Sequence, residues 1–173
     1  MITPSTDWPV LMSKAMISLV HLLKTLPPGI GICLEVIFPS RETRERLFLS
    51  RRLDLNQVVD AVLKTIYQTS MSQSQDSNRN FRRRIMFTSF SPDICAALNW
   101  KQPNYAVFLA SHCGKNVDRT TRPIGFDSGD NKDRRLSSLA ATVEFARMNN
   151  LLGVFVDATL LVCFGCFQSP FAD

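Results

Sequence analysis

No stretch of this 173-residue chain is apolar for long enough to cross a bilayer comfortably. The longest apolar region, LLGVFVDATLLVCFGCF at 151–167, is short for a span and holds Asp157, a costly group in lipid. No membrane partner is expected. The N-terminal MITPSTDWPV has no basic flank leading into an apolar core and cleavage site, so no signal peptide is expected either. Neither GxGxxG nor GxxxxGK(S/T) occurs, which removes the usual evidence for a nucleotide-binding sheet.

Cysteine is sparse and unpatterned. Cys33, Cys95, Cys113, Cys163 and Cys166 are odd in number and widely spaced, and most sit in apolar surroundings. That favours reduced core thiols in a cytoplasmic or nuclear protein over a disulfide framework. Cys163 and Cys166 form a CxxC, but no second CxxC and no HxxxH accompany it, so neither zinc nor redox chemistry is expected there. The formal net charge is +5, with a run at Arg82, Arg83 and Arg84 and a pair at Arg51 and Arg52. Without interleaved aromatics or a nucleic-acid motif, these read as solvated arginines at strand starts, and no nucleic acid is expected as partner. An anionic phosphate substrate would suit the charge equally well.

What is present is an alternation of helices and strands. Residues 10–24 suit a helix, broken by TLPPGIG, and residues 32–38 a strand ended by Pro39 and Ser40. DLNQVVDAVLKTIY at 54–67 has the 3.6-residue apolar period of an amphipathic helix, capped by Asp54, and polar residues 70–80 should be an exposed loop. A second strand is expected at 83–90. Ser91 then suits an N-cap, Pro92 the first helical position and Asp93 the positive helix end. A third strand is expected at 105–110, a long glycine-rich charged loop from His112 to about Asp130, a helix at 132–149 and a fourth strand at 153–158. In the last helix Leu136, Leu139, Ala140, Val143 and Ala146 share a face.

Strands alternating with helices, and apolar on both faces, imply an α/β fold with a parallel sheet covered by helices. Doubly wound and (β/α)8 arrangements both fit, although four strands are too few to close a barrel.

Candidate residues are few. Glu35 stands between Leu34 and Val36 on a strand that reads as buried, and a lone buried carboxylate needs a metal, a cation or a hydrogen-bond network; a structural glutamate paired with a neighbour such as an arginine is the favoured reading over a metal ligand. Ser89 and Phe90 end the second strand, where pocket lining or capping is the expected role. No base stands near Ser89 in sequence to make it a nucleophile. His112 follows the third strand and reads as a solvated loop histidine. Asp157 closes the fourth, where a site residue or a loop-capping carboxylate would be natural. The segment HCGKNVDRTTRPIGFDSGD offers glycines and cations, without the helix-initiating phosphate-loop pattern.

The ordered segments LPPGIGICLEVIFPS, RRRIMFTSFSPDICAALNWKQPNYAVFLAS and EFARMNNLLGVFVDATLL resemble the glycerophosphodiester phosphodiesterase family over roughly residues 10–162. The likeness is nearest to fungal members, above all the C-terminal domain of a filamentous-fungal phosphate-starvation regulator, a cyclin-dependent kinase inhibitor with SPX and ankyrin domains. The resemblance implies an incomplete (β/α)8 barrel and, in active members, hydrolysis of glycerophosphodiesters with a divalent metal. The family signature runs His-Arg-Gly, Glu-x-Asp, a second histidine and a later Glu-x-Lys. Glu35 falls on the metal-binding glutamate of the last motif, and Ile37 on its lysine. Nothing matches the earlier motifs, and His21 and His112 stand in other contexts. The resemblance therefore implies one metal-ligating residue, Glu35, no catalytic residue and no cofactor in this fragment, with a divalent metal only in an active parent. The expected function is a catalytically degenerate phosphodiesterase-like domain of a phosphate-signalling regulator, with a cyclin and cyclin-dependent kinase complex as the parent's partner. The alternative is part of an active phosphodiesterase. Residues 163–173 depart from the family, as an incomplete gene model or misread splice junction would explain.

Overall fold

A computed structural model describes residues 17–27, 29–39, 54–76, 83–115 and 133–158. The chain divides into two compact units, Met1–Gly31 with Asp60–Arg84, and Ile32–Val59 with Ile85–Asp173.

Helix α1, Leu19–Thr25, begins where the Ser18 hydroxyl accepts from the His21 amide and ends at Leu26, whose backbone is extended. Residues 10–16 of the longer helix expected from sequence lie outside the described residues. The last carbonyls of a helix lack intrahelical partners and carry partial negative charge. Arg83 answers them. It is 5% exposed, and its guanidinium donates to four carbonyls: Nη1 to Pro27 (2.9 Å) and Ile30 (3.1 Å), Nη2 to Leu23 (3.2 Å) and Leu26 (2.7 Å). Arg84 is exposed, as expected of a solvated arginine, but Arg83 is not. A rigid fork of N–H donors can serve several converging carbonyls at once, which makes its burial tolerable.

Helix α2, Leu55–Asp76, is 22 residues long. Asp54 caps it as expected, its Oδ1 accepting from the amides of Asn56 (2.7 Å) and Gln57 (3.3 Å). Val59, Leu63 and Ile66 are buried at helical spacing. The loop expected at 70–80 is helix as far as Asp76, and residues 77–80 lie outside the described part. The reason is local: the SMSQSQ run has no glycine or proline, and glutamine and methionine are good helix formers.

The second unit is built on a four-stranded sheet: β1 Ile32–Glu35, β2 Ile85–Ser89, β3 Ala106–Ser111 and β4 Gly153–Val156. All neighbours pair parallel, in sequence order. Helix α3, Pro92–Lys101, packs on β2 and β3, and helix α4, Leu139–Met148, on β3 and β4. Ser91, Pro92 and Asp93 open α3 as expected, the Ser91 hydroxyl accepting from the Ile94 amide. The helix expected at 132–149 is two pieces. A 3-10 turn at Arg134–Leu136 is followed by α4, which Ser138 caps by accepting from the Ala141 amide. Its buried stripe is Thr142 and Ala146, whereas Val143 is 45% exposed. The Thr142 hydroxyl donates to the Ser138 carbonyl and is hydrogen-bonded with the Ser111 hydroxyl, so a polar residue is satisfied on the packed face.

Phe87, Leu109, Ile94, Leu98 and Cys95 are fully buried at the core of this unit. Each such apolar side chain stabilises the fold by roughly 1.5–3 kcal/mol relative to exposure. The sheet is not apolar and covered on both faces, as the sequence suggested. Cys33 and Glu35 are exposed, Met86 is 38% and Phe155 41% exposed. Alternation along the strands and the parallel register put these four on one face with Phe108, which stacks on Phe155 at 4.7 Å between centroids. Gly153 makes room there, since a Cβ would lie 3.3 Å from the Phe108 ring.

Arg135 cross-ties this unit. Its guanidinium reaches Asp93 at 2.6 Å and Asp133 at 2.6 Å and lies 5.4 Å from the Phe145 ring centroid. The Arg135 hydrogen bond holds the Asp133 carboxyl below its ordinary pKa. A depressed carboxylate pKa contributes stability that is present above the unfolded value, near 4, and is lost as pH falls through the folded value.

Two stability outcomes are expected. Arg83→Ala should lower unfolding free energy in urea by about 3 kcal/mol or more, because several buried carbonyls lose their donor, with Arg83→Lys in between. Asp133→Asn should flatten the loss of stability on acidification below about pH 4. The effect should be about 1 kcal/mol or less, because the pair is partly solvated.

Candidate functional site

Parallel strands bring their C-terminal ends to the same edge of a sheet. At that edge lies a cleft of about 310 Å³, lined among others by Glu35, Thr88, Phe90, His112, Phe155 and Asp157. Each comes from the end of a strand or the residue just beyond it, except Thr88 and Phe155, one residue earlier.

Glu35 ends β1, is exposed and opens onto the cleft. It pairs in register with Thr88 of β2. Ile37 lies beyond β1 and is 46% exposed. Among the described residues no lysine or arginine lines the cleft.

Ser89 is buried, and its hydroxyl donates to the Val36 carbonyl at 2.6 Å and accepts from the Ser91 amide at 3.1 Å. Both bonds fix the end of β1 and the entry to α3, which is the capping role expected of it. Phe90 does line the cleft. His112 corrects the sequence reading. It is only 9% exposed rather than solvated, and its ring stacks on Phe90 at 4.9 Å and 25°. The backbone explains this: Cys113 and Gly114 both take positive φ, turning the chain sharply after β3. A Cβ on Gly114 would lie 2.3 Å from the Ser137 carbonyl oxygen. Asp157 is exposed at the cleft. His21 is exposed on α1. The anion-loop candidate beyond Lys115, and Cys163 with Cys166, lie outside the described residues.

Thr88 was missed by sequence reasoning. It is 7% exposed, and its Oγ1 has no hydrogen-bond partner among the described residues. Alternation puts Thr88 on the face of Glu35, but only the strand register, which sequence does not give, sets the two side by side.

The arrangement does not make a metal site by itself. Among the described residues, no three His, Cys, Asp or Glu side chains come together to hold an ion. Cysteine chemistry is also remote. Cys95 and Cys113 are buried and Cys33 exposed, all free, and burial pushes the Cys95 thiol up to about 12.

Known proteins bear on this geometry. Glycerophosphocholine phosphodiesterase of Candida albicans is 32% identical over 147 residues, 84% of this chain and 11% of that protein. The chain is homologous to part of glycerophosphocholine phosphodiesterases. Human glycerophosphocholine phosphodiesterase is 28% identical over 141 residues, 80% of this chain and 18% of the relative. The same segment recurs in the ankyrin repeat protein nuc-2 of Neurospora crassa, 27% identical over 169 residues, 84% of the chain and 16% of the relative. It recurs too in the phosphate system positive regulatory protein of Saccharomyces cerevisiae, 28% identical over 157 residues, 83% of the chain and 13% of the relative. This phosphodiesterase-like chain thus spans less than a fifth of each. No protein-family model and no solved structure matches it. Among the described residues no helix is long and apolar enough to cross a membrane.

Ser89→Ala should destabilise the fold by about 1–3 kcal/mol in a denaturant titration, since Val36 and Ser91 lose a buried partner. If the residue were instead a nucleophile, a serine-directed phosphonate would label it. No labelling of Ser89 is expected in intact-mass and peptide-mapping experiments.

Proposed function

We propose that this chain is part of a phosphodiesterase-like (β/α)8 barrel that is catalytically degenerate, and that its parent protein acts in phosphate signalling through protein contacts. One observation carries the reading: Glu35 opens onto a cleft that no lysine or arginine lines among the described residues, and the family resemblance would put Ile37 where active members have a lysine. Phosphodiester hydrolysis spreads negative charge over phosphate oxygens, and cations or metal are what stabilise it. The parallel sheet in sequence order is compatible with part of such a barrel. The relative named as a positive regulator of the phosphate system supports the signalling part. A cyclin and cyclin-dependent kinase complex is the partner this reading assigns to the parent.

A second reading, part of an active metal-dependent phosphodiesterase, has its own support. Glu35 stands on the metal-ligand position and faces the cleft, and relatives carry the phosphodiesterase name. The residues described here do not complete a metal site, so no step of hydrolysis is assigned to them.

The test is release of glycerol phosphate from glycerophosphocholine by the 173-residue chain, with magnesium or calcium added. No release above the rate without protein is expected. Metal-stimulated release abolished by Glu35→Ala would overturn the degenerate reading in favour of the enzyme.

A further inference from the structure

Two adjacent arginines, then any residue, then a serine or threonine occur once in this chain, at Arg134, Arg135, Leu136 and Ser137. The spacing has a chemical meaning. A serine kinase whose peptide groove carries carboxylates reads guanidinium groups two and three residues ahead of the hydroxyl it modifies, and charge patterns of this kind set kinase–substrate choice. The fold puts the pattern at the surface, on a short stretch with modest ties. Arg134, Ser137 and Ser138 are exposed. The stretch is a single 3-10 turn, held by the Leu136 amide donating to the Asp133 carbonyl at 3.0 Å and the Ser137 amide to the Arg134 carbonyl at 3.4 Å. The Ser137 hydroxyl donates to the Arg134 carbonyl at 2.8 Å, an exposed bond that water can replace. Ser138, by contrast, caps α4, accepting from the Ala141 amide at 3.1 Å. Ser137 is therefore the hydroxyl that the fold releases at little cost.

The second arginine of the pattern is engaged. Arg135 bonds Asp93 and Asp133, each at 2.6 Å, and Leu136 beside it is 1% exposed. An enzyme that takes its substrate as an extended peptide needs Arg135 released and the turn opened, a local event rather than a global one. We propose that Ser137 is a phosphate-acceptor site for an arginine-directed serine kinase, masked by the Asp93 and Asp133 carboxylates, which hold the arginine that the kinase reads. In the transfer, Ser137 Oγ forms a bond to the γ-phosphorus of ATP, the bond from that phosphorus to the ADP oxygen breaks, and the hydroxyl proton passes to the kinase's base. The phosphoserine brings roughly two negative charges and competes with Asp93 for the Arg135 guanidinium. Modification thus loosens the tie between the start of α3 and the turn ahead of α4. That turn abuts the one that carries His112 to the cleft, because the Ser137 carbonyl lies against Gly114 with no room for a side chain between them. This inference goes beyond the reading above and does not depend on it: hydrolysis of glycerophosphocholine would refute that reading and leave this one standing.

The test is incubation of the folded 173-residue chain with magnesium ATP and the catalytic subunit of cyclic-AMP-dependent protein kinase, an arginine-directed enzyme, followed over time by intact mass and peptide mapping. A single phosphate on Ser137 is expected. Ser137→Ala should remove it, and Arg134→Ala, a change at an exposed side chain, should slow it roughly tenfold or more. Asp93→Asn should speed it about two- to fivefold, the factor that an exposed ion pair contributes to opening. A serine whose arginine is not masked would not respond to that carboxylate. Absence of phosphate on the folded chain would overturn the proposal. So would phosphate on Ser138 in place of Ser137, or a rate that Asp93→Asn leaves unchanged or lowers.

Discussion

Because all four strands run parallel and pair in sequence order, side chains separated by up to 122 positions, from Glu35 to Asp157, end at one edge of the sheet. Everything chemical in the described part of the chain follows from that constraint. Ladder hydrogen bonds fix Glu35 against Thr88, Thr88 against Phe108, and Phe108 against Gly153. A shift of one residue in any strand would exchange the cleft face for the helix-packed face. The helices hold this register rather than contribute to the cleft. Leu98 and Ile94 of α3, with Cys95, are fully buried in the core, and Arg135 ties Asp93 at the start of α3 to Asp133.

The same constraint separates residues that look equally chemical in a linear reading. Ser89 and Phe90 are adjacent, but the serine is spent on the Val36 carbonyl and Ser91 amide while the phenylalanine faces the cleft. Glu35 and Ile37 share a side of an extended chain, as the Glu-x-Lys pair of the resembling family would. With isoleucine at the second position, the carboxylate has no cation supplied from its own strand.

Much of the framework was legible in the sequence. The strand cores, the Ser91-Pro92-Asp93 helix start and the Asp54 cap rest on local chemistry, and local chemistry is what sequence shows. What escaped was non-local. Arg83 read as one of three surface arginines, because four carbonyls converging from residues 23–30 are invisible in its own neighbourhood. His112 read as solvated because the turn at Cys113 and Gly114, and the Phe90 ring beneath it, are tertiary facts. Val143 read as a core residue by period, but the break at Ser137 and Ser138 rotates α4 so that Thr142 is packed instead. Glu35 was the one site residue singled out with a role, and it does reach the cleft. Its ligand role rests on resemblance, because no second and third ligand join it among the described residues.

The central claim is that Glu35 stands in a cleft without, among the described residues, the companions needed to hold a catalytic metal. Manganese measures this most directly, since its unpaired electrons broaden amide signals near a bound ion. Titrating the ¹⁵N-labelled chain with manganese chloride should give only weak, unsaturable broadening spread over the exposed carboxylates, unchanged by Glu35→Gln. Saturable broadening centred on Glu35, Thr88 and His112 and abolished by Glu35→Gln would contradict the account.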